Sequence, residues 1–308
     1  MNKKPDIVVV IPCYNEEKTI EQVIKDFKRE LPNSRIMVVD NNSFDSTSEI
    51  AKKSGAEVVF EKKQGKGFAI QTAFRVFDGD IFVLVDGDDT YNAKDVHKLL
   101  DCVMNENIDM AVGNRMHKGN MNAFSKRHWY GNKFLTGVLN VLFRVHIQDM
   151  QSGLRVMNKE YVDTTALLIG GFAIEPELTI QAIEKNMFIK ELPIDLGKRP
   201  KGSHSKINAV RDGTIALYTL LSLFRDYQPL QFFTFVSVVL MLLSVGLGVF
   251  SLDGYFETGM ISRVPSLVVA GFLMIASIIS FISGLILSSI KRRHDELVVF
   301  LRRLHDKK

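Results

Sequence analysis

LVDGDDTYN, residues 84–92, places three carboxylates, Asp86, Asp88 and Asp89, within four residues, directly behind the apolar run Ile81–Val85. Adjacent carboxylates repel, and clustering them costs free energy unless a cation, a proton or a hydrogen-bond network compensates. A positive group belongs at this spot. The same grammar, an apolar run followed by a polar cluster, recurs upstream: Ile7–Ile11 then PCYNEE, Ile36–Val39 then DNNSFDST, and Val58–Phe60 then EKKQGKG. Helical spacings lie between the runs, as in Ile20, Val23, Ile24, Phe27 and Leu31, which put one apolar stripe on a helix. Strands alternating with helices predict an α/β fold with a mainly parallel sheet, in which ligands bind outside the carboxyl ends of the strands. The polar clusters, aspartates included, would then line one shared edge. Asn92 followed by Asp95 reads as a helix start, so the acidic turn is the loop between a strand and a helix.

Two nucleotide-binding signatures are missing. PCYNEE has no glycine, so the first strand is not followed by the Gly-x-Gly-x-x-Gly of a dinucleotide fold. Gly65-Lys66-Gly67-Phe68 lacks the upstream glycine and the Ser/Thr of a P-loop. Gly65 and Gly67 remain open to two readings, a turn leading into a helix or a close backbone approach to a ligand.

At 308 residues and 46% hydrophobic content the chain has room for one sizeable domain and something smaller. From Gln231 to Ser251 and from Val264 to Ile290 there is no Asp, Glu, Lys, Arg or His. Each run is long enough for a helix to cross a hydrocarbon layer of roughly 30 Å, so two membrane spans are expected. The loop between them holds Asp253, Glu257 and Arg263, whereas the tail opens with Lys291, Arg292 and Arg293 and adds Arg302, Arg303, Lys307 and Lys308. That asymmetry predicts a cytoplasmic tail, an external loop and a cytoplasmic N-terminal part. MNKKPDIVVVIPCYNEE has too short an apolar run for a signal peptide. Cys13 and Cys102 are expected to be reduced, with no metal-ligand spacing. The net charge of +4 is modest and the cations gather near the expected membrane side, so anionic lipid is a better partner than nucleic acid. Between Ile207 and Leu230, Val210, Leu217, Leu221 and Phe224 sit on helical spacings and read as one or two helices on the membrane surface. Leu297, Leu301 and Leu304 stripe the tail, where surface docking and contact between copies in a homo-oligomer are equally open.

Taken together, IPCYNEE, VVDNNSFDST, LVDGDD, GNR at 113–115, QDMQSGLR at 148–155 and KRPKGSHSK at 198–206 resemble the family-2 glycosyltransferases of the GT-A fold. The last two motifs followed by hydrophobic spans are similar to the polyisoprenyl-phosphate group, which includes dolichyl-phosphate mannose synthase. One such motif is common; six in the same order are specific. The resemblance covers about Ile7 to Lys206. It implies a Rossmann-like GT-A catalytic domain at 1–206, interfacial helices at 207–229, two transmembrane helices within 230–290 and a basic cytoplasmic tail at 291–308.

The implied reaction is transfer of one sugar, with inversion, from a nucleotide diphosphate sugar to the phosphate of a membrane polyprenyl lipid. UDP-glucose or UDP-N-acetylglucosamine is the preferred donor, GDP-mannose the runner-up, and undecaprenyl phosphate the bacterial acceptor. The family's Asp-x-Asp corresponds to Asp86-Gly87-Asp88 and suits Mg²⁺ or Mn²⁺ on the donor's diphosphate. Asp88 is the first choice of ligand, while Asp86 faces either metal or ribose. By the same resemblance Pro12, Tyr14, Glu16 and Asp40 belong to the nucleotide site, with Lys66 also counted as donor-binding. The chain reads Asp40-Asn41-Asn42-Ser43 where Asp-Asp-Gly-Ser is commoner. Asp45 is expected to cap the next helix. Arg115 and Arg127 are implied near the acceptor phosphate, and Ser152 and Gly153 in a loop lining sugar and acceptor. Arg155 is either a phosphate ligand or a structural partner of Asp149. Arg199, Gly202, Ser205 and Lys206 match Arg-x-x-Gly-x-Ser-Lys, read as a mobile basic loop closing on phosphate. Glu175, in GFAIEPEL, either orients a sugar hydroxyl or starts a helix, since an ionised phosphate needs no strong base. A processive polysaccharide synthase is the second enzyme reading, though two spans are few for it and Gln-x-x-Arg-Trp is missing. A membrane-anchored nucleotide-sugar-binding scaffold is the non-enzyme reading.

Overall fold

The structure, a computed structural model, describes residues 4–171, 174–197, 209–253, 255, 259–260 and 263–305. The four apolar runs form strands β1 (Ile7–Cys13), β2 (Arg35–Asp40), β3 (Glu57–Phe60) and β4 (Ile81–Leu84). Between them lie α1 (Ile20–Glu30), α2 (Thr47–Lys53) and α3 (Lys66–Val76). After the acidic turn Asn92 caps a short 3-10 turn, its side chain accepting from Lys94 N at 3.1 Å, and α4 (Val96–Asn105) follows. Then come β5 (Met110–Asn114), α5 (Lys126–Phe143), β6 (Arg155–Asn158), α6 (Lys159–Thr164), α7 (Ile174–Glu184) and β7 (Ile189–Pro193).

Among the described residues these strands make one seven-stranded sheet, ordered β3-β2-β1-β4-β6-β5-β7. β6 runs antiparallel to β4 and β5; the other pairings are parallel. The sheet is therefore mainly parallel, as the strand–helix alternation predicts. Both faces are covered, because strand side chains alternate. Val9 and Ile11 pack with Ile20, Val23, Ile24 and Phe27 of α1 and with Val96, Leu99 and Leu100 of α4. Val8 and Val10 pack on the opposite face with Ala69, Ile70 and Ala73 of α3, Tyr161 of α6 and Leu178 of α7. Strand order reverses at β1, so the carboxyl ends of β1, β2 and β4 flank a crevice of the kind that binds ligands in such sheets.

The chain divides into two compact units, Met1–Leu220 and Leu221–Lys308. The division falls inside the helix α8 (Ala209–Tyr227). On α8, Ala216, Leu220, Leu223 and Phe224 are buried, while Ile215, Tyr218 and Leu221 are exposed. The second unit holds α9 (Pro229–Leu252) and α10 (Val264–His305), packed antiparallel. Small residues one heptad apart make the seam: Ser237, Ser244 and Ser251 on α9, and Ala270, Ser277 and Gly284 on α10. Ser277 Oγ lies 3.0 Å from Ser237 Oγ and donates to Ser237 O at 2.9 Å, and Ser244 Oγ donates to Ala270 O at 2.7 Å. Small side chains let the backbones approach, and their hydroxyls find partners across the seam, as in helix pairs packed within lipid.

Pro229–Leu252 and Val264–Val298 are long and apolar enough to cross a membrane. Only 17% of the most apolar window of each is buried, which separates them from core helices of a water-soluble domain. α10 has 42 residues, about 63 Å at 1.5 Å per residue, so it runs well beyond a bilayer's hydrocarbon layer as continuous helix. At Gly284 an added Cβ would lie 2.8 Å from Phe233 Cβ, whereas Gly246 has open space around it. Gly284→Leu should cost about 1–3 kcal/mol by overpacking, read as a lowered thermal midpoint in detergent, with Gly246→Leu unchanged as the control.

Candidate active site

Part of the positive charge demanded by the acidic turn comes from the protein. The Lys66 ammonium is ion-paired with both Asp86 and Glu175. These side chains are 16%, 28% and 9% exposed, so the cluster is largely withdrawn from water. Burial alone would favour the neutral amine, but the two carboxylates outweigh it and hold the Lys66 pKa above the ordinary lysine value. Asp88 sits half-buried in the same turn, its Oδ1 accepting from Thr90 N at 3.3 Å and Thr90 Oγ1 at 2.6 Å. Asp89 adopts φ 57°, the left-handed conformation that turns the chain back toward Thr90. It is half-buried, and burial, then Asp26 and Asp88, raise its pKa.

Backbone geometry puts Lys66 there. Gly65 has φ 143°, and a Cβ on it would strike the carbonyl of Gly170; one on Gly67 would strike the carbonyl of Ile169. Gly65 turns the chain into α3, as the turn reading expects, and the close approach these glycines make is to the chain's own segment 169–171. On the other side of the cluster, a Cβ on Gly153 would strike the Asp86 carboxylate. Two buried polar residues brace the arrangement. Asn41 donates to Lys63 O at 2.6 Å and accepts from Gly65 N at 2.7 Å. Glu177 accepts from Leu168 N and Ile169 N, both at 2.9 Å. Sequence reasoning missed both; the departure at Asn41 was the one available signal.

The loops after β1 and β2 are laced together. Asn15 N donates to Ser43 Oγ at 2.9 Å, Phe44 N to Asn15 Oδ1 at 2.9 Å, and Glu16 N to Thr47 Oγ1 at 2.8 Å. Asp45 accepts from Thr47 N at 3.0 Å at the start of α2, and from Glu17 N at 3.2 Å. Tyr14 meets exposed Phe44 edge-on with ring centroids 5.6 Å apart. Pro12 is buried at the end of β1. Asp40 is buried, accepting from Ser43 N at 3.1 Å and Ser48 Oγ at 2.6 Å.

The arginines separate sharply. Arg115 grips Asp149 through two parallel bonds, Nε–Oδ2 at 2.8 Å and Nη2–Oδ1 at 2.9 Å, and Asn132 adds a third donor at 3.0 Å. Asp149 therefore pairs with Arg115, correcting the alternative that paired it with Arg155. Arg155 is fully buried and binds Ser152 O at 3.0 Å, Met150 O at 2.8 Å and Thr179 Oγ1 at 2.9 Å, which makes it the internal clamp of the 148–155 loop. In that loop Ser152 Oγ is buried without a hydrogen-bond partner, and Gly153 N donates to Tyr91 Oη at 2.8 Å. Arg127 is exposed on the first turn of α5. Arg199, Ser205 and Lys206 lie outside the described residues; Gly197 N donates to Thr90 O at 2.9 Å, tying Gly197 to the acidic turn.

Among the described residues no three His, Cys, Asp or Glu side chains converge as a protein-only metal cage. Two carboxylates on one turn, Asp86 and Asp88, are hard oxygen donors that fit Mg²⁺ or Mn²⁺, ions that complete their shells with phosphate oxygens and water.

An acidic turn at the carboxyl edge of a mainly parallel sheet with one reversed strand is the arrangement that the resemblance to GT-A glycosyltransferases implies. The chain belongs to glycosyl transferase family 2, whose model matches residues 8–165. It is 30% identical over 289 residues to glycosyltransferase AglJ of Haloferax volcanii, covering 92% of this chain and 95% of that one. It is also 30% identical over 194 residues to a dolichyl-phosphate hexose transferase of the same organism, covering 63% and 84%. Mycobacterium tuberculosis glucosyl-3-phosphoglycerate synthase, solved with Mn²⁺ and UDP-glucose, shares the fold with a TM-score of 0.54 at 22% identity over 70% of this chain and 79% of that one.

Burial would raise the Asp149 pKa, but Arg115 and the surrounding donors prevail and hold it below the usual carboxylate range. A depressed folded-state pKa stabilises above the unfolded value near ~4 and is lost as pH falls through the folded value. Asp149→Asn leaves buried Arg115 unpaired, an expected loss of about 3–5 kcal/mol. Chemical denaturation should show that gap constant from neutral to mildly acidic pH and narrowing once the pH drops below the carboxylate range.

Proposed function

We propose that the protein transfers a single hexose or N-acetylhexosamine, with inversion, from a UDP-sugar to a polyprenyl phosphate at the cytoplasmic face of a membrane. The observation that carries this reading is the presence in one chain of the Asp86-Gly87-Asp88 turn at a GT-A sheet edge and of two apolar helices long enough to span a bilayer. The dolichyl-phosphate hexose transferase relative supports a lipid phosphate acceptor, and the Mn²⁺ and UDP-glucose of the fold neighbour support the donor. Sidedness follows from the cations that begin at Lys291, which hold that end of α10 in the cytoplasm.

A phosphate oxygen of the lipid forms a bond to the anomeric carbon as the bond from that carbon to the diphosphate oxygen breaks, its electron pair leaving with the nucleoside diphosphate. Asp88 and Asp86 would hold the divalent ion, Mg²⁺ or Mn²⁺, which when bound would supply positive charge to offset that growing on the diphosphate. Pro12, Tyr14, Glu16 and Asp40 frame the base and ribose. Lys66, the cation already seated against Asp86, adds a donor toward the diphosphate. Arg127 meets the acceptor phosphate from its exposed position on α5, with Arg199 and Lys206 adding charge, Ser152 and Ser205 adding hydroxyl donors, and Arg115, held by Asp149, orienting the surrounding loop. The second phosphate pKa is near ~6, so the nucleophile is ionised at neutral pH and needs no general base. Glu175 is accordingly a counter-ion of Lys66 and not a proton acceptor.

Purified protein in nanodiscs containing polyprenyl phosphate, supplied with Mn²⁺ and labelled UDP-sugars, should yield a product carrying one sugar and soluble in organic solvent. A water-soluble or polymeric product, or turnover indifferent to chelator, would overturn the reading. Asp88→Ala should lose on the order of 10²–10³-fold in kcat, the scale of removing a transition-state electrostatic contact, while Glu175→Gln keeps turnover of the same order.

A further inference from the structure

α5 buries one face and leaves the other unpartnered in a distinctive way. Trp129, Asn132, Leu135, Thr136, Leu139 and Phe143 are its buried residues. On the opposite side Tyr130, Phe134 and Val141 are 68%, 61% and 78% exposed. With Gly137 between them they fall within roughly 60° of arc at 3.6 residues per turn, forming a continuous apolar strip. Large apolar side chains aligned on an outer face mark an interaction surface, not scattered exposure. Exposed cations flank the strip: Lys126, Arg127, Lys133 and Arg144. No Asp or Glu occurs from Lys126 through Ile147. Lys133 leans over the Trp129 ring at 5.1 Å, keeping its stem along the helix and its ammonium at the edge of the strip.

We infer that this face of α5 is a membrane-docking surface, its apolar strip entering the headgroup boundary of an anionic bilayer and its cations contacting lipid phosphates. An apolar centre edged by cations is the chemistry of an interfacial helix. The charge pattern decides against a second copy as the occupant, since pairing this face with itself would bring cation against cation. An acid-free edge of four Lys/Arg side chains is instead attracted to an anionic leaflet. The consequence is functional: Arg127, on the first turn of this helix, would stand at headgroup level, where a lipid phosphate resides. The inference rests on reading α9 and α10 as membrane spans, and not on the identity of the acceptor.

The test uses the full-length chain in nanodiscs of phosphatidylglycerol, with a nitroxide on Phe134→Cys or on Val76→Cys, an exposed position on α3. Cys13 and Cys102 are free and buried, so labelled wild type gives the background. Spin-label accessibility should favour oxygen over a water-soluble nickel chelate several-fold more at 134 than at 76. Equal chelate access at both sites overturns the inference. Shielding of 134 from both reagents assigns the face to protein and overturns it too. Neither readout needs turnover, so a failed transfer assay leaves this outcome independent.

Discussion

Two carboxylates from distant parts of the chain, Asp86 and Glu175, converge on one ammonium, and most of the site's architecture serves that convergence. Unit charges ~4 Å apart interact by about 4 kcal/mol at an effective dielectric near 20. Two carboxylates that close, with Asp88 and Asp89 in the same turn as Asp86, would be a serious liability if left alone. Lys66 reverses the sign of the balance, and it reaches that position only because Gly65, Gly67, Gly153 and Gly170 let backbone, carboxylate and aromatic ring come nearer than any Cβ permits. Asn41 and Glu177 then fix the two flanking segments from behind. Of these glycines only Gly153 abuts a charged group, the Asp86 carboxylate; Gly65 and Gly67 make room for the carbonyls of Gly170 and Ile169, and Gly170 for the Phe68 ring.

The second charged cluster is built on the opposite plan. Arg115 has Nε and Nη2 committed to Asp149, and Asn132 takes up another lone pair of the same carboxylate. A guanidinium so engaged is rigid and nearly neutralised, which suits it to orient Tyr91 and the Gln148–Arg155 loop more than to attract an anion from a distance. Arg127, exposed and on a helix that carries no acid, has the long-range field that Arg115 lacks. Charge for attraction and charge for geometry are thus carried by different arginines.

Strand and helix positions were legible because burial imposes period: the runs at 7–11, 36–39, 58–60 and 81–85 all became strands. The acidic turn and its place at a sheet edge followed from topology. What stayed hidden were pairings across long sequence separation. Nothing in SGLR distinguishes Arg155 as a fully buried clamp, and nothing in GNR indicates that Arg115 and not Arg155 would take Asp149. Lys66 was singled out through its glycines, yet its tie to Glu175, 109 residues away, is a tertiary fact. α5 was missed as a surface element because its polar, buried Asn132 and Thr136 break the contrast between its faces; only exposure shows which face is free.

The hairpin of α9 and α10 marks the same boundary between composition and contact. Hydropathy reports that a helix can live in lipid, where apolar surface gives no reason to pair. Pairing must then come from shape and hydrogen bonds, and here it comes from residues that lower the hydropathy score: Ser237, Ser244, Ser277, Ser280 and Gly284. The heptad spacing of Ser237 with Ser244 and of Ser277 with Gly284 holds the seam on one side of each helix as the pair winds. Lys291, just past the apolar stretch of α10, donates to the carbonyl of Tyr227 and lies over its ring at 6.0 Å, so the seam ends in a polar lock joining α10 to the last turn of α8. The polar minority of an apolar hairpin thereby sets its register, just as the lone lysine of an acidic cleft sets the geometry there.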